Sequence, residues 1–153
     1  MTPRIIEERD IPALFDLRGV TSENPFSREA LRSLGITEES TAAFLSTTGR
    51  GWLCESGSTR TGFAIGDGKT GEMCVVAVAP NFENQGIGSR LLAAVEEWLF
   101  SLGWRQLWLW TSSDPKKRAY SFYLRRGWFV SEDKGDTVVM KKNAPSEPRA
   151  STP

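Results

Sequence analysis

The chain has 153 residues, 39% of them hydrophobic and 25% charged, and this balance is typical of one soluble globular domain. Lysine plus arginine and aspartate plus glutamate each number 19, so the net charge of zero gives no reason to expect a nucleic-acid or membrane partner. Histidine is absent and the two cysteines, Cys54 and Cys74, form no CxxC pattern, which argues against a metal site and against Ser-His or Cys-His catalysis.

The first third of the chain reads as a short strand followed by three helices. Residues 4–10 have a strand pattern, and Asp10 is suited to cap a helix through 11–20. Two further capped helices are expected over 27–35 and 37–49. The N-terminus has no apolar core of signal-peptide length, and no apolar run is long enough to span a bilayer. We therefore expect a cytoplasmic protein.

Three strands separated by glycine-rich turns follow, over 51–56, 60–67 and 71–79. The connections GSTR and GDGKTG are short enough for hairpins, which predicts that the three strands are antiparallel. Cys54 and Cys74 fall within these strands, and we expect both thiols to be buried and reduced.

The second half of the chain alternates helices and strands. The pattern predicts a helix over 86–102, a strand over 105–113, a helix over 115–127 and a hairpin of strands over 128–133 and 136–142. A strand, a crossover helix and a second strand within 71–113 make a βαβ unit, whose two strands run parallel. The fold class is therefore predicted as α/β, with a mixed, mostly antiparallel sheet, a central parallel pair and helices on both faces.

The last eleven residues, NAPSEPRASTP over 143–153, are polar and proline-rich. Such a composition has little apolar surface to bury, which favours a disordered tail. We expect one domain over 1–142.

Gly86 and Gly88 stand where the long helix begins, directly after a strand. Glycine in a helix costs about 1 kcal/mol relative to alanine, so the bare backbone needs a reason. The first amides of a helix lack an intrahelical partner and lie at the positive end of its dipole, and glycines let a phosphate approach them. A tight turn with close helix–sheet packing is the alternative reason. The stretch ENQGIGSR fits neither a P-loop nor a dinucleotide-binding loop.

This stretch resembles motif A of the GCN5-related N-acetyltransferase (GNAT) superfamily, R/Q-x-x-G-x-G/A, which follows a strand ending in V-x-P, here Val78 to Pro80. A second family signature, A-x-x-F/L-Y-x-x-x-G-F, is matched in AYSFYLRRGW by Ala119, Phe122, Tyr123, Gly127 and Trp128. The motifs occur in the family's order, about 35 residues apart, and the predicted elements agree with the family's from residue 4 to 142. The resemblance implies the GNAT fold, whose sheet splays to admit acetyl-CoA.

The resemblance also implies where acetyl-CoA binds. Its pyrophosphate would lie on the backbone amides of Asn84, Gln85, Gly86, Ile87, Gly88 and Ser89. Its pantetheine arm would pair like an extra strand with Val76, Ala77 and Val78, and the Val78 amide would polarise the thioester carbonyl. Tyr123 occupies the position of the family's general acid, which protonates the departing thiolate. An aromatic packing residue with its hydroxyl in solvent is the alternative for Tyr123.

Three positions depart from the family pattern. Glu83 stands where motif A often has arginine or glutamine, so a side-chain contact to phosphate is expected to be lost there. Lys116 replaces an asparagine that is frequent at the start of the second motif's helix, and Thr111 replaces a glutamate base that some relatives carry.

The identity of the base that deprotonates the amine is therefore open. A base is needed because an alkyl ammonium has a pKa of about 10 and must lose a proton before it attacks. Alternation along the strand puts Glu72 on the same face as Cys74, Val76 and Val78, from which its carboxylate could act through water. The alternative is a solvated carboxylate at the start of the strand.

The acceptor side is predicted from two short segments. Trp108 and Trp110 share a strand face by alternation, so one of them, with Trp108 as the candidate, could line an acceptor pocket instead of the core. Residues 18–26 fall where the family's acceptor-binding helix and loop lie, and Glu23 and Asn24 could hold a cationic amine there. A solvated loop is the alternative.

The resemblance predicts an enzyme that moves an acetyl group from acetyl-CoA to a primary amine of a small molecule or peptide. Direct attack in a ternary complex is expected, because no Cys-His or Ser-His nucleophile exists to carry the acyl group. No metal, nucleic acid or membrane is expected to take part, and both a monomer and a homodimer remain open. The rival prediction is an acyl-CoA-binding sensor or regulatory module that has kept this fold without turnover.

Overall fold

A computed structural model describes residues 1–23 and 25–145 of the chain. The strands are β1 (Arg4–Ile5), β2 (Gly49–Ser56), β3 (Thr59–Asp67), β4 (Glu72–Val78), β5 (Gln106–Ser112), β6 (Phe129–Asp133) and β7 (Thr137–Asn143). The helices are α1 (Ile11–Arg18), α2 (Arg28–Ser33), α3 (Glu38–Leu45), α4 (Ile87–Ser101) and α5 (Arg118–Arg125). Short 3₁₀ turns span Glu8–Asp10 and Pro80–Phe82. The predicted order of elements is confirmed.

One sheet contains all the described strands, in the order β1-β2-β3-β4-β5-β7-β6. The β4–β5 pair is parallel and every other neighbouring pair is antiparallel, as the two hairpin connections and the βαβ unit predict. The mixed sheet with a central parallel pair is thus confirmed.

Helices cover both faces of this sheet. On one face, α4 buries a stripe of leucine and valine side chains, including Leu91, Val95 and Leu99, against the strands. On the other face, Leu14 and Leu17 of α1 pack with Phe63 of β3. Burial of such a stripe removes apolar surface from water on both sides of the sheet, which holds β3 and β4 between two layers.

The parallel strands β4 and β5 share a single register pair in the described chain, Glu72 opposite Trp108. Beyond this pair the carboxyl-terminal part of β4 has β3 as its hydrogen-bonded neighbour on one side and no strand paired on the other. The sheet is therefore splayed between Val76 to Val78 of β4 and the end of β5, and this opening positions the site described below.

A β-bulge at Cys74 changes which side chains share a face of β4. Met73 pairs with Gly66 and Val75 pairs with Ile65, so Cys74 is an extra residue without a partner. Met73, Val76 and Val78 consequently face α4, whereas Val75 and Ala77 face α1.

The alternation predicted for β4 is therefore wrong at its start. Glu72 lines a cavity on the α1 side together with Cys74 and Val75, and it does not share a face with Val76 and Val78. The predicted burial of both cysteines holds for Cys54, but the bulge leaves Cys74 exposed.

The predicted first strand and its cap also need correction. β1 ends at Ile5, because the chain turns into a 3₁₀ helix at Glu8. The carboxylate of Asp10 is fully buried and accepts hydrogen bonds from Arg4, Arg60 and the backbone N–H of Glu7, at 2.7 to 3.1 Å. It therefore joins the N-terminal segment to β3 and makes no side-chain cap on α1.

The last strand ends close to its predicted position. β7 ends at Asn143, one residue beyond the strand predicted over 136–142, and the Ala144 amide donates to the Arg105 carbonyl at 2.8 Å. Residues 146–153 of the predicted tail lie outside the described residues. Across the part of the chain that the structure describes, no helix is both long enough and apolar enough to cross a membrane.

Candidate active site

A cleft of about 250 Å³ opens where β4 separates from β5. The end of β4, the turn before α4 and the inner side of α5 line it. Eight residues of the predicted cofactor set line this cleft: Val76, Ala77, Val78, Asn84, Gly86, Ile87, Gly88 and Ser89. Gln85, the ninth, is exposed and lies outside the lining.

The backbone of β4 turns unused hydrogen-bonding groups toward this cleft. The Ala79 amide donates to the Thr61 carbonyl of β3 at 2.8 Å. Successive residues of an antiparallel strand direct their amides to opposite sides, so Ala77 also faces β3. Val76 and Val78 then direct their N–H and C=O groups to the other side, where β5 has separated. An extended ligand can pair with them as a strand would.

The turn before α4 curls its backbone around the same cleft. Asn84 has a φ of 63° and Gly86 a φ of 79°, both in the left-handed region, and Gly86 is the N-cap of α4. This conformation favours glycine at Gly86 and directs successive amides toward one point. The first amides of α4 add unpaired donors at the positive end of its dipole.

Gly88 allows a test of the packing alternative for the glycine pair. A Cβ at Gly88 would lie 3.4 Å from the Phe122 ring and 3.6 Å from Val78, which is ordinary van der Waals contact. The neighbouring side chains therefore do not require a glycine at this position. The absent methyl group leaves room on the cleft side of the backbone, where an anion approaches the helix amides.

Arg118, which the sequence analysis did not single out, connects α5 to the turn. Its guanidinium pairs with the Glu83 carboxylate and donates to the Asn84 side-chain oxygen at 2.8 Å. Its backbone N–H donates to both oxygens of the Glu23 carboxylate at 3.1 Å. Glu83, which departs from the family motif, is thus paired with the Arg118 cation on α5. Two features of the sequence could have indicated this contact. Glu83 stands where the motif often has an arginine, and an arginine occurs instead at position 118, three residues after Pro115.

Two further arginines of α5 and its end, Arg125 and Arg126, also line the cleft. Arg126 donates to the Ser89 hydroxyl at 2.8 Å and stacks on the Phe122 ring, 3.9 Å from its centroid. Burial lowers the pKa of Arg126 and the nearby Arg125 cation lowers it further, as expected where like charges gather. The cleft therefore has a positive wall suited to an anionic ligand.

Tyr123 stands at the junction of this cleft with the core. Its ring packs edge to face on Phe122 and Trp128, at centroid distances of 5.3 and 5.9 Å, and only 8% of the residue is exposed. Trp128 is fixed in turn by a hydrogen bond of 2.9 Å from its indole N–H to Glu96. Tyr123 also lines the cleft.

Burial raises the pKa of Tyr123 to about 12, although the cation of Arg18 opposes that rise. The phenol consequently keeps its proton across the physiological range. A protonated hydroxyl on the wall of a cleft can donate a proton to a developing anion.

An apolar cavity of about 380 Å³ lies on the other side of β4, between the sheet and α1 to α3. Most of its wall is apolar, and its charged side chains are Arg18 and Glu72. A third space of about 570 Å³, the bridging cavity, shares wall residues with the apolar cavity and with the cleft. Cys74, Val75 and Trp110 line both the apolar and the bridging cavity, and Val76 and Tyr123 line both the bridging cavity and the cleft.

Glu72 lies in the apolar cavity, at the closed end of the opening between the strands. Burial raises the pKa of its carboxyl above the usual range, and the charge of Asp67 raises it further. Among residues 1–23 and 25–145 its side chain makes no ion pair or hydrogen bond. It is therefore a carboxylate that can take up a proton in a cavity connected with Tyr123.

The residues predicted for the acceptor side lie in different parts of the structure. Trp108 lines none of the three cavities, because its indole N–H donates to the Thr70 carbonyl at 3.0 Å beside the closed end of the opening. Trp110, two residues further along β5, is 60% exposed and lines both the apolar and bridging cavities. Glu23 lines the cleft, but its carboxylate is engaged at the start of α5. Asn24 lies outside the described residues.

No group of three or more metal-ligating side chains occurs within the described ranges. The site offers the backbone amides of Val76 and Val78, the protonated phenol of Tyr123 and the carboxylate of Glu72.

Comparison with solved structures finds this fold in several N-acetyltransferases. The PaiA N-acetyltransferase of Thermoplasma acidophilum, solved in complex with coenzyme A, superposes with a TM-score of 0.78 at 19% identity, covering 94% of this chain and 100% of its own. The ribosomal-protein-S18-alanine N-acetyltransferase of Escherichia coli gives a TM-score of 0.70 at 20% identity, over 96% and 99% of the chains. A spermidine N-acetyltransferase of Vibrio cholerae gives 0.66 at 17% identity, over 94% and 95%.

At these identities the superpositions show a shared fold. Comparison of the sequence with curated proteins finds no match. The model of the acetyltransferase (GNAT) family, however, matches residues 11–128, which include both motifs and most of the cleft. The chain therefore belongs to the GNAT family of acetyltransferases.

Proposed function

We propose that this protein transfers the acetyl group of acetyl-CoA to a primary amine by direct attack within a ternary complex. The observation that supports this most strongly is the common lining of the cleft and the bridging cavity by Val76 and Tyr123. A donor in the cleft and an acceptor in the bridging cavity would meet there, beside a backbone donor and a phenol.

The residues of the cleft fit acetyl-CoA in shape and charge. Val76 and Val78 offer backbone donors and acceptors to an extended pantetheine arm, and the turn from Asn84 to Ser89 offers amides to a pyrophosphate. The room beside Gly88 suits a bound anion, and Arg125 and Arg126 add positive charge. The similar PaiA structure contains coenzyme A, which agrees with this assignment. Acetyl-CoA supplies an activated thioester.

Tyr123 and Val78 have distinct parts in the proposed reaction. The neutral amine nitrogen forms a bond to the thioester carbon, and the Val78 amide stabilises the negative charge that develops on the carbonyl oxygen. When the carbon–sulfur bond breaks, the Tyr123 hydroxyl donates its proton to the sulfur. The nitrogen loses a proton, solvent reprotonates Tyr123, and the products are an N-acetylated amine and free CoA.

Glu72 is the carboxylate we propose for removing a proton from the ammonium form of the acceptor, through water. Its raised pKa makes it a stronger base than an ordinary carboxylate, and its cavity shares Cys74 and Val75 with the bridging cavity. The bulge places it on the α1 side, so the acceptor approaches from that side and the donor from the cleft.

The fold alone leaves the acceptor class open. One neighbour is named for spermidine and another for an alanine of ribosomal protein S18, so the fold does not choose among small molecules and peptides. Release of free CoA thiol from acetyl-CoA in the presence of single amines, with mass spectrometry of the products, tests the proposal. Acetylated amine with equimolar thiol supports it.

The contrary result would be CoA binding without acetyl transfer to small amines, amino acids and peptides alike. That outcome would favour the acyl-CoA-binding module over the enzyme. The protonated Tyr123 on the cleft wall supports the enzyme, because a binding module has no use for a buried acid at that position.

A further inference from the structure

Arg18, the last residue of α1, lines the cleft, the apolar cavity and the bridging cavity. Its guanidinium lies over the Phe26 ring, 4.6 Å from the centroid, and the Phe26 amide donates to the Arg18 carbonyl at 2.9 Å. The loop after α1 thus folds back and holds this side chain in the space where the three cavities meet.

The Arg18 guanidinium lacks a carboxylate partner within the described part of the chain. Five other arginines, in contrast, form ion pairs with carboxylates at the surface or in the sheet: Arg4, Arg9, Arg28, Arg60 and Arg118. Arg18 is half-buried, and burial lowers its pKa. A cation taken partly out of water without a counter-ion is costly, and a bound anion would offset that cost.

The apolar cavity next to Arg18 defines the rest of the ligand. Its wall includes Leu14, Phe15, Leu31, Phe44, Phe63 and Ile65. A volume of about 380 Å³ falls in the range of small-molecule sites, and such a wall favours an aliphatic or aromatic group. Three carboxylates line the bridging cavity, which the acceptor must enter: Glu23, Asp114 and Asp136. They outnumber its two cations, Arg18 and Lys117, and this excess favours an ammonium group.

We propose that the acceptor is an amino carboxylate with an apolar side chain, such as a hydrophobic α-amino acid. This inference rests on the proposed function. The carboxylate binds the Arg18 guanidinium, the apolar side chain enters the cavity, and the amino group, one carbon from the carboxylate, faces Val76 and Tyr123. A planar guanidinium suits this task because it can hold both carboxylate oxygens.

Calorimetry on the protein saturated with free CoA, which cannot transfer an acetyl group, tests the inference without turnover. The ligands are L-phenylalanine, 2-phenylethylamine, which lacks the carboxylate, and glycine, which lacks the apolar side chain. We expect L-phenylalanine to bind about 10- to 100-fold more tightly than either comparison ligand. Arg18→Gln is expected to reduce its affinity to that of 2-phenylethylamine. Arg32→Gln, an exposed arginine of α2, makes the same charge change outside the cavities and is expected to leave it unchanged.

Equal affinity of the intact protein for L-phenylalanine and 2-phenylethylamine would overturn the inference, and so would an unchanged preference in Arg18→Gln. The ligand comparison on the intact protein decides the matter even if Arg18→Gln does not fold. If no amine, L-phenylalanine included, is acetylated although binding depends on the carboxylate, the proposed function fails and only the amino-carboxylate binding site stands. If other amines are acetylated while L-phenylalanine neither binds nor reacts, the inference fails and the proposed function stands.

Discussion

Glu72 of β4 lies opposite Trp108 of β5, and in the described chain this is the one register pair that the two parallel strands form. Everything on the carboxyl side of this pair is open, so Val76 and Val78 present backbone groups to a cleft. The two tryptophans of β5 therefore differ in position. Trp108 lies at the closed end, and Trp110 lies in the open part, where it lines the apolar and bridging cavities.

Gly88→Val is expected to abolish CoA binding without unfolding the protein. The valine side chain would fill the room beside the α4 amides, and its Cβ makes only ordinary contacts with Phe122 and Val78. At about 100 times Kd, CoA should stabilise the intact protein by about 2.7 kcal/mol, or roughly 5 to 10 °C in Tm for a domain of this size. Thermal unfolding with and without CoA measures this shift. A Gly88→Val protein that keeps the full shift in Tm would show that the turn does not bind the phosphate.

Tyr123→Phe is expected to lower kcat by roughly 10²- to 10⁴-fold, because the general acid is lost. CoA affinity and Tm should stay close to those of the intact protein, since phenylalanine keeps the ring contacts with Phe122 and Trp128. Steady-state turnover with a confirmed acceptor measures the effect. Tyr120→Phe is the matched control on the same helix, because the chain's other tyrosine lines none of the three cavities. Equal turnover in both variants would mean that Tyr123 only packs.

The pH dependence of kcat/KM should have a low-pH limb set by Glu72. The base must be ionised, and its pKa is raised by burial and by the charge of Asp67, so activity falls at a higher pH than an ordinary carboxylate would give. Glu72→Gln is expected to flatten the limb. Asp67→Asn removes the repelling charge, so it should lower the pKa and move the limb to lower pH. If neither substitution changes the limb, water or another group, and not Glu72, removes the proton from the acceptor.

Asp10→Asn is expected to destabilise the fold by about 3–5 kcal/mol at neutral pH, because it leaves the Arg4 and Arg60 guanidinium groups without a buried counter-charge. Arg4 holds the pKa of the Asp10 carboxyl well below its usual range, despite burial. A depressed pKa stabilises the fold above the unfolded value of about 3.9, and this contribution is lost as the pH falls toward the folded value. Urea unfolding of Asp10→Asn and of the intact protein should therefore give free energies of unfolding that differ less at pH 3 than at pH 7.

The sequence predicted the elements and the cleft because local patterns determine both. The leucine stripe of α4 and the two glycines at its start, Gly86 and Gly88, lie within one short segment, so the helix and the turn follow from residue spacing. The bulge at Cys74 could not be predicted in this way, because it depends on how β3 pairs with β4. One unpaired residue was enough to move Glu72 to the other face of the sheet.

The contacts between distant segments were likewise beyond the sequence. Arg118 reaches Glu83 and Asn84 across 34 or more positions of the chain, and Asp10 joins Arg60 across 50. Neither pairing leaves a periodic signal. Asp10 before a helix favoured a capping role because that pattern is local, whereas its actual partners are two arginines brought together by the sheet.

Hydrogen exchange of individual β4 amides, followed by NMR with and without acetyl-CoA, tests the account most directly. Val76 and Val78 should exchange faster than Ala77 in the free protein, because the Ala77 amide faces β3. A saturating ligand that pairs with the strand should slow Val76 and Val78 by about 100-fold at 100 times Kd, and should affect Ala77 much less. Acetyl-CoA that binds while leaving the exchange of Val76 and Val78 unchanged would contradict a donor held between β4 and β5.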